Sequence, residues 1–213
     1  MPLPMVHLGV AQAIAAQRPI SNLPAFYLGS IAPDAVHMRS NFCPEDKKRS
    51  HYFVKDSAQP GELQALQDLI AQNTPHRDFY LGYLVHLLTD RYWQDTVYQI
   101  YLERHRADPA PLQDQRWAYY NDTDRLDFEL YQTVPWREAV WTHLEQASAT
   151  AIDGVVLANE VALWQKRTLH WYESGQSEHT NPIRYLTCRE LENFIADAAR
   201  KIAEVLNTLP GEC

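Results

Sequence analysis

Apolar residues recur at helical spacing along almost the whole chain, and no segment keeps the strict alternation of a half-buried strand. The pattern predicts an all-α protein, a single-domain multi-helix bundle over residues 1–213. A first helix is expected from Met5 to Gln17, ending before Arg18-Pro19, and a short second one from Leu23 to about Ile31, where Pro33 restricts the residue before it. Asp34 then stands at a helix end. Residues 35 to 59 read as an irregular loop, which at that length inside a compact domain is usually functional, and it carries His37 and His51. An amphipathic helix with a proline start follows from Pro60 to Gln72. After Asn73-Thr-Pro, a long helix is expected from Arg77 to Arg104. Further helices are expected from Leu112 to Gln132, Pro135 to Gln146, Val155 to Glu173 and Thr187 to Leu209. Thr187-Cys-Arg-Glu190 reads as a capping box for the last of them.

The long helix breaks the pattern in one place. Phe79, Tyr83, His86, Asp90, Trp93 and Val97 recur at spacings of three and four, while Leu84, Leu88 and Tyr92 line another face, so the helix is apolar on several sides and central. His86 and Asp90 sit on that aromatic stripe where leucine is expected. Taking a carboxylate out of water is costly unless it is paired or bound to a cation, and a metal ion is the simplest compensation for both groups. Other ligands are available upstream in Met5-Val-His7-Leu, Ser30-Ile-Ala-Pro-Asp34 and Lys48-Arg-Ser-His51-Tyr-Phe. Taken singly, each has an ordinary reading. His7 suits a helix start, Asp34 a turn after Pro33, His51 a loop, and the His86 and Asp90 pair can hydrogen-bond to each other. Tyr83 and Trp93 read as core rather than as a substrate platform.

Composition narrows the class. Hydrophobic residues make up 46% of the 213 and charged residues 22%, a folded composition rather than a disordered one. The formal charge of −8 argues against general binding to nucleic-acid backbones. The short basic run Lys47-Lys-Arg49, beside Glu45 and Asp46, reads as a solvated loop. Three cysteines, Cys43, Cys188 and Cys213, are odd in number and in no metal-binding spacing, which fits a reducing compartment. The N-terminus lacks a basic start and a long apolar core, and no apolar run is long enough to span a bilayer. A cytoplasmic protein with no membrane span is therefore expected.

Taken together, His7, Gly29-Ser-Ile-Ala-Pro-Asp34, Ser50-His51-Tyr-Phe53 and Gly82-Tyr-Leu-Val-His86-Leu-Leu-Thr-Asp90, followed by Arg91 and Trp93, resemble the zinc-dependent phospholipase C family, whose fold is shared by single-strand nucleases. The segments are most similar to uncharacterised bacterial members, and the resemblance covers about the first 100 residues. It implies that His51, His86 and Asp90 hold one zinc, that Asp34 acts as base or metal-water partner and further ligand, and that His7 meets a second zinc with Asp90 as the bridge. The chain departs from the secreted phospholipases in two ways: it begins Met1-Pro2 in place of their zinc-binding terminal tryptophan, and it lacks their further His-x-x-x-Glu cluster. One or two metals are implied rather than three. Asp124 and Asp127 in Asn121-Asp-Thr-Asp-Arg-Leu-Asp127 are outside candidates to complete the site, better read as a solvated or capping acidic turn, and His37 is another.

The expected activity is metal-assisted hydrolysis of a small phosphorylated substrate, a phosphodiester or phosphomonoester. Zinc follows from the resemblance; a His and carboxylate set alone also accepts iron, manganese or nickel. Two other readings stay open. One is an HD-like nucleotide phosphohydrolase, although no His-Asp dipeptide occurs; the other is a noncatalytic metal-binding helical interaction protein with a closed coordination sphere.

Overall fold

Helical apolar stripes must be buried helix against helix, and the computed structural model, which describes residues 2–52, 61–72, 74–108 and 115–209, does this with ten α-helices among those residues. They are α1 (Pro4–Ala15), α2 (Leu23–Gly29), α3 (Pro44–Ser50), α4 (Gly61–Ala71), α5 (Arg77–Asp95), α6 (Val97–Ala107), α7 (Gln115–Thr133), α8 (Arg137–Gln146), α9 (Ala158–His170) and α10 (Cys188–Leu206). A 3-10 helix, Ala32–Met38, joins α2 to α3. No strand is present among the described residues, only an isolated bridge between Ile152 and Val156. The all-α class is as expected. The expected starts at Pro60 and Leu112, and Cys213, lie outside the described residues.

Helix α5 is the axis of the bundle. It packs against α1, α2, α4, α6 and α10, and its residues from Asp78 to Asp90 are buried without interruption. The tightest approach is to α2. A Cβ at Gly29 would lie 2.1 Å from the Phe79 carbonyl oxygen, and one at Gly82 would lie 2.1 Å from the Phe26 carbonyl oxygen. Neither neighbour is a side chain that can swing away, so glycine is required on both helices for the backbones to touch. The starts of the two helices are tied as well, because Asp78 Oδ2 accepts the Asn22 N–H at 2.6 Å.

The other end of the chain closes over α1. Pro4 sits in the first turn of α1, where a missing N–H costs nothing, and the free Met5 N–H is caught by Asp127 Oδ1 of α7 at 3.1 Å. Helix α10 lays its apolar face, with Leu191, Phe194, Ala198 and Ile202, against α1 and α5. The capping box expected at its start is half formed. Thr187 Oγ1 accepts the Glu190 N–H at 3.3 Å and donates to Glu190 Oε2 at 2.9 Å, while the same carboxylate makes a bidentate pair with Arg104, at 2.6 and 3.0 Å.

Two expectations are corrected. The helix expected from Arg77 to Arg104 breaks at Thr96, whose backbone leaves the helical region (φ −127°, ψ −85°) and whose N–H turns to the Trp93 carbonyl at 3.3 Å. The segment 35–59 is not irregular where it is described. It continues the 3-10 helix to Met38 and then forms α3, whose start is closed by the Asp46 carboxylate on the Cys43 N–H at 3.0 Å.

Replacing Gly82 by alanine should lower the unfolding free energy by about 1–3 kcal/mol, the usual cost of overpacking. Chemical denaturation measures this, and an unchanged midpoint would show that α2 and α5 need not touch.

Candidate metal centre

Four segments converge beside the point where α2 meets α5. His7 comes from α1, Asp34 from the 3-10 helix, His51 from the residue that ends α3, and His86 and Asp90 from successive turns of α5. The three histidines and Asp90 are buried, and Asp34 is partly exposed. Asp90 is the common neighbour. Its Oδ1 lies 3.4 Å from His7 Nε2, while its Oδ2 lies 3.4 Å from His51 Nε2 and 3.8 Å from His86 Nε2. Asp34 Oδ1 lies 3.4 Å from His51 Nε2. The His7 and His86 rings stack in parallel, with centroids 3.7 Å apart.

Backbone carbonyls set the imidazoles. Ser30, one residue beyond α2, accepts the His86 Nδ1–H at 2.9 Å, which leaves Nε2 as the lone-pair nitrogen facing the cluster. His51 Nδ1 lies 3.1 Å from the Lys47 carbonyl, one helical turn back, which orients it in the same sense. The Tyr83 hydroxyl donates to the Ser50 carbonyl at 2.6 Å, pinning the end of α3 to α5, and Tyr52 then turns through a left-handed conformation (φ 51°). A non-glycine residue at positive φ is uncommon, and here it follows directly on a site histidine.

The electrostatics separate the carboxylates from the imidazole between them. Burial pushes the Asp34 carboxyl up, but the adjacent His51 ring and the charge of Lys47 outweigh it and hold Asp34 well below the usual range. Burial likewise works against Asp90, but the contact with His7, first among its imidazole neighbours, holds its carboxyl below the usual range. For His86, burial and the neighbouring His7 win over Asp90, and its pKa falls to about 3. Asp34 and Asp90 are therefore anionic and His86 neutral, the protonation states a divalent cation requires.

The cluster fits such a cation. His86 Nε2, His7 Nδ1 and both Asp90 oxygens are buried without a hydrogen bond among the described residues, and unmet buried polar atoms cost roughly 1–3 kcal/mol each. Two trios, His7 with His86 and Asp90 and Asp34 with His51 and His86, bring one ligand atom per residue within 4.8 Å of one another and could each hold a metal ion. Imidazole nitrogen with carboxylate oxygen is a donor set that zinc accepts.

Residues 6–134 match the family model described as zinc dependent phospholipase C. The chain belongs to that family. The match runs past the first 100 residues, through α6 and α7, so the likeness extends beyond the four motifs. No curated protein and no solved structure matches the chain. The family is zinc-dependent and makes this chain a hydrolase, and the two trios are consistent with one or two zinc ions.

All five candidate residues, His7, Asp34, His51, His86 and Asp90, meet at this one place. The outside candidates do not join them. Asp124 is taken by the Ser177 hydroxyl. Asp127 accepts the Met5 N–H and the Tyr172 hydroxyl, and burial pushes its carboxyl up to about 8. His37 Nε2 stands 3.8 Å from Asp34 Oδ1 but belongs to neither trio. Tyr83 and Trp93 are core residues that spend their polar atoms on Ser50 and Tyr119.

Lys47 was hidden in what reads as a solvated basic run. Its Nζ lies 3.1 Å from Asp34 Oδ1 and 3.3 Å from His37 Nε2. The reach is prepared by Arg39, which clasps Glu160 of α9 through two hydrogen bonds and Asp46 of α3 through a third. Lys47 and Asp34 also line an open cleft of about 790 Å³ between α3, α7 and α9, which brings solvent to the edge of the cluster.

Two opposing pH effects should be visible in the metal-free protein. His86, depressed to about 3 from 6.5, gives stability that is present above pH 6.5 and lost as pH falls toward 3. Asp127, raised from 3.8 to about 8, gives stability that is present below pH 3.8 and lost as pH rises toward 8. Urea unfolding of His86→Gln should therefore lose the acid-side slope, and Asp127→Asn the alkaline-side slope. Curves parallel to wild type in both variants would contradict these protonation states.

Proposed function

We propose that this chain hydrolyses a phosphoric ester, phosphodiester or phosphomonoester, in the cleft beside Asp34. The observation that supports this most is the meeting of five metal-ligand side chains from four segments, with buried unmet atoms, in a member of a zinc-dependent hydrolase family. His51 and His86 would supply imidazole nitrogens to one ion, with a carboxylate oxygen from Asp90 or Asp34. His7 and Asp90 would supply the donors for a second. His86 can serve only one ion, because Ser30 holds its other nitrogen. Asp90 is the natural bridge, since its two oxygens face His7 on one side and His51 and His86 on the other.

Zinc in such a donor set supplies Lewis-acid charge to phosphoryl oxygens and lowers the pKa of a water molecule. The chain's own residues do the rest. Asp34, anionic and at the cleft edge, accepts a hydrogen bond from the attacking water and orients it. Lys47 lies on the cleft side of Asp34, where a phosphoryl oxygen competes for the ammonium group. As Lys47 shifts to the phosphate, Asp34 loses the charge that depresses its pKa and becomes a better proton acceptor. The buried rings of His7 and His86 keep bulk water away from the inner side of the cluster.

The open cleft weighs against a closed structural metal site, and the absence of a His-Asp dipeptide weighs against an HD-like nucleotide phosphohydrolase. The proposal includes a single hydrolase domain over residues 1–213 and a cytoplasmic location, which the free thiols Cys43 and Cys188 fit. No helix of the described residues is long and apolar enough to cross a membrane.

Metal content and turnover of phosphodiester and phosphomonoester panels test this together. Wild type should carry zinc and cleave at least one panel. Asp90→Ala should lose the metal and at least about 100-fold in turnover, beyond the roughly 10–100-fold cost of removing a supporting residue. Lys47→Ala should keep the metal and lose about 10–100-fold in kcat/KM. A zinc-loaded wild type that cleaves no ester in either panel would sink the hydrolase reading, and an Asp90→Ala variant with full metal would sink the site.

A further inference from the structure

The cleft beside Asp34 is more cationic than one phosphoryl group needs. In a chain of formal charge −8, Lys47, Lys48, Arg116 and Arg167 all line it, and Asp34 is the sole carboxylate lining it among the described residues. Three of these cations have polar partners close by. Lys47 is on Asp34, Lys48 on Glu45 at 3.1 Å, and Arg116 donates to the Tyr120 hydroxyl at 3.2 Å.

Arg167 is different. Its guanidinium carbon stands 5.3 Å from the centroid of the Trp164 ring and 4.7 Å from that of Trp171, and no carboxylate among the described residues pairs with it. Aromatic faces hold a guanidinium in place without neutralising it. Trp164 is itself buried and packs on Trp171, so the platform beneath the arginine is part of the core rather than a mobile surface. Trp164 also meets the His37 ring, 6.1 Å away, and His37 touches Lys47 and Asp34. The arginine is thus an exposed, fork-shaped donor held on aromatic faces, without a carboxylate partner among the described residues, in the cleft that Asp34 of the cluster lines.

We infer that the substrate carries a second phosphoryl group besides the one at the metal centre, and that Arg167 binds this second group. A guanidinium offers two parallel N–H donors that match phosphate oxygens. An ester with an uncharged or cationic tail would leave Arg167 without an anionic partner. This deepens the proposed phosphoester hydrolysis and rests on it for the role of the cleft, but binding can be measured without turnover.

Calorimetry of the zinc-loaded protein with propylphosphonate, propane-1,3-diyl bisphosphonate and hexane-1,6-diyl bisphosphonate reads the second group directly, because C–P bonds survive hydrolysis. At least one bisphosphonate should bind roughly tenfold more tightly than propylphosphonate, the gain expected of one charge-assisted contact. Arg167→Gln should abolish that advantage and leave propylphosphonate binding unchanged, whereas Arg200→Gln, on α10 away from the cleft, should change neither. Equal affinity for mono- and bisphosphonates in wild type, or an advantage that survives Arg167→Gln, would overturn the inference. Failure of the hydrolase reading shows differently, as a bisphosphonate preference lost with Arg167 in a protein that cleaves no ester.

Discussion

The approach of α2 to α5 is the contact on which the metal centre depends. Gly29 and Gly82 let carbonyl oxygens of one helix sit where a Cβ would be on the other, and no larger residue fits without moving backbone. That closeness delivers the Ser30 carbonyl to His86 Nδ1. The hydrogen bond then chooses the tautomer, and the tautomer leaves Nε2 facing Asp90 and His51. A packing constraint of two glycines is thereby converted into a chemical one.

The cluster is expensive to build, and the fold meets that expense by surrounding it with supports. Two anionic carboxylates and three imidazoles share a volume in which few of their lone pairs are satisfied, a state that would favour unfolding unless a cation occupies it. Each ligand is accordingly held from behind. Asp127 and Tyr172 anchor the start of α1 near His7, Tyr83 fixes the end of α3 before His51, and Arg39 ties α3 to α9. These supports come from as far along the chain as α9 and residue 172. The site is thus a product of the whole bundle, although all five candidate ligands come from the first 90 residues.

Much of this was legible from residue spacing, and the exceptions have physical causes. His86 and Asp90 stood out because they occupied apolar positions of a central helix, and His7, Asp34 and His51 gained meaning through their motifs. Spacing could not show Lys47 as a site neighbour, because its partners lie ten and thirteen residues away and its own turn is charged in the way surface helices are. Nor could it show α3. Seven residues with Pro44 at the start and charges throughout carry no apolar stripe, and the helix is held by Asp46 and Arg39 rather than by its pattern. The break at Thr96 was missed for the opposite reason: the apolar period runs on through Val97 and Tyr101, and only the backbone dihedrals of Thr96 mark the interruption.

Charge distribution ties the cleft to the cluster behind it. Asp34 and Asp90 alone make the centre anionic, and an anionic centre in a chain of charge −8 repels phosphate. Bound cations would reverse that sign locally, and the lysines and arginines of the cleft would extend the reversal outward to where the proposed substrate arrives. Seen this way, the salt bridge from Lys47 to Asp34 couples the two regions. In the proposed reaction it would stabilise the carboxylate until a phosphoryl oxygen takes its place on the ammonium group, and the substrate itself would then return basicity to Asp34.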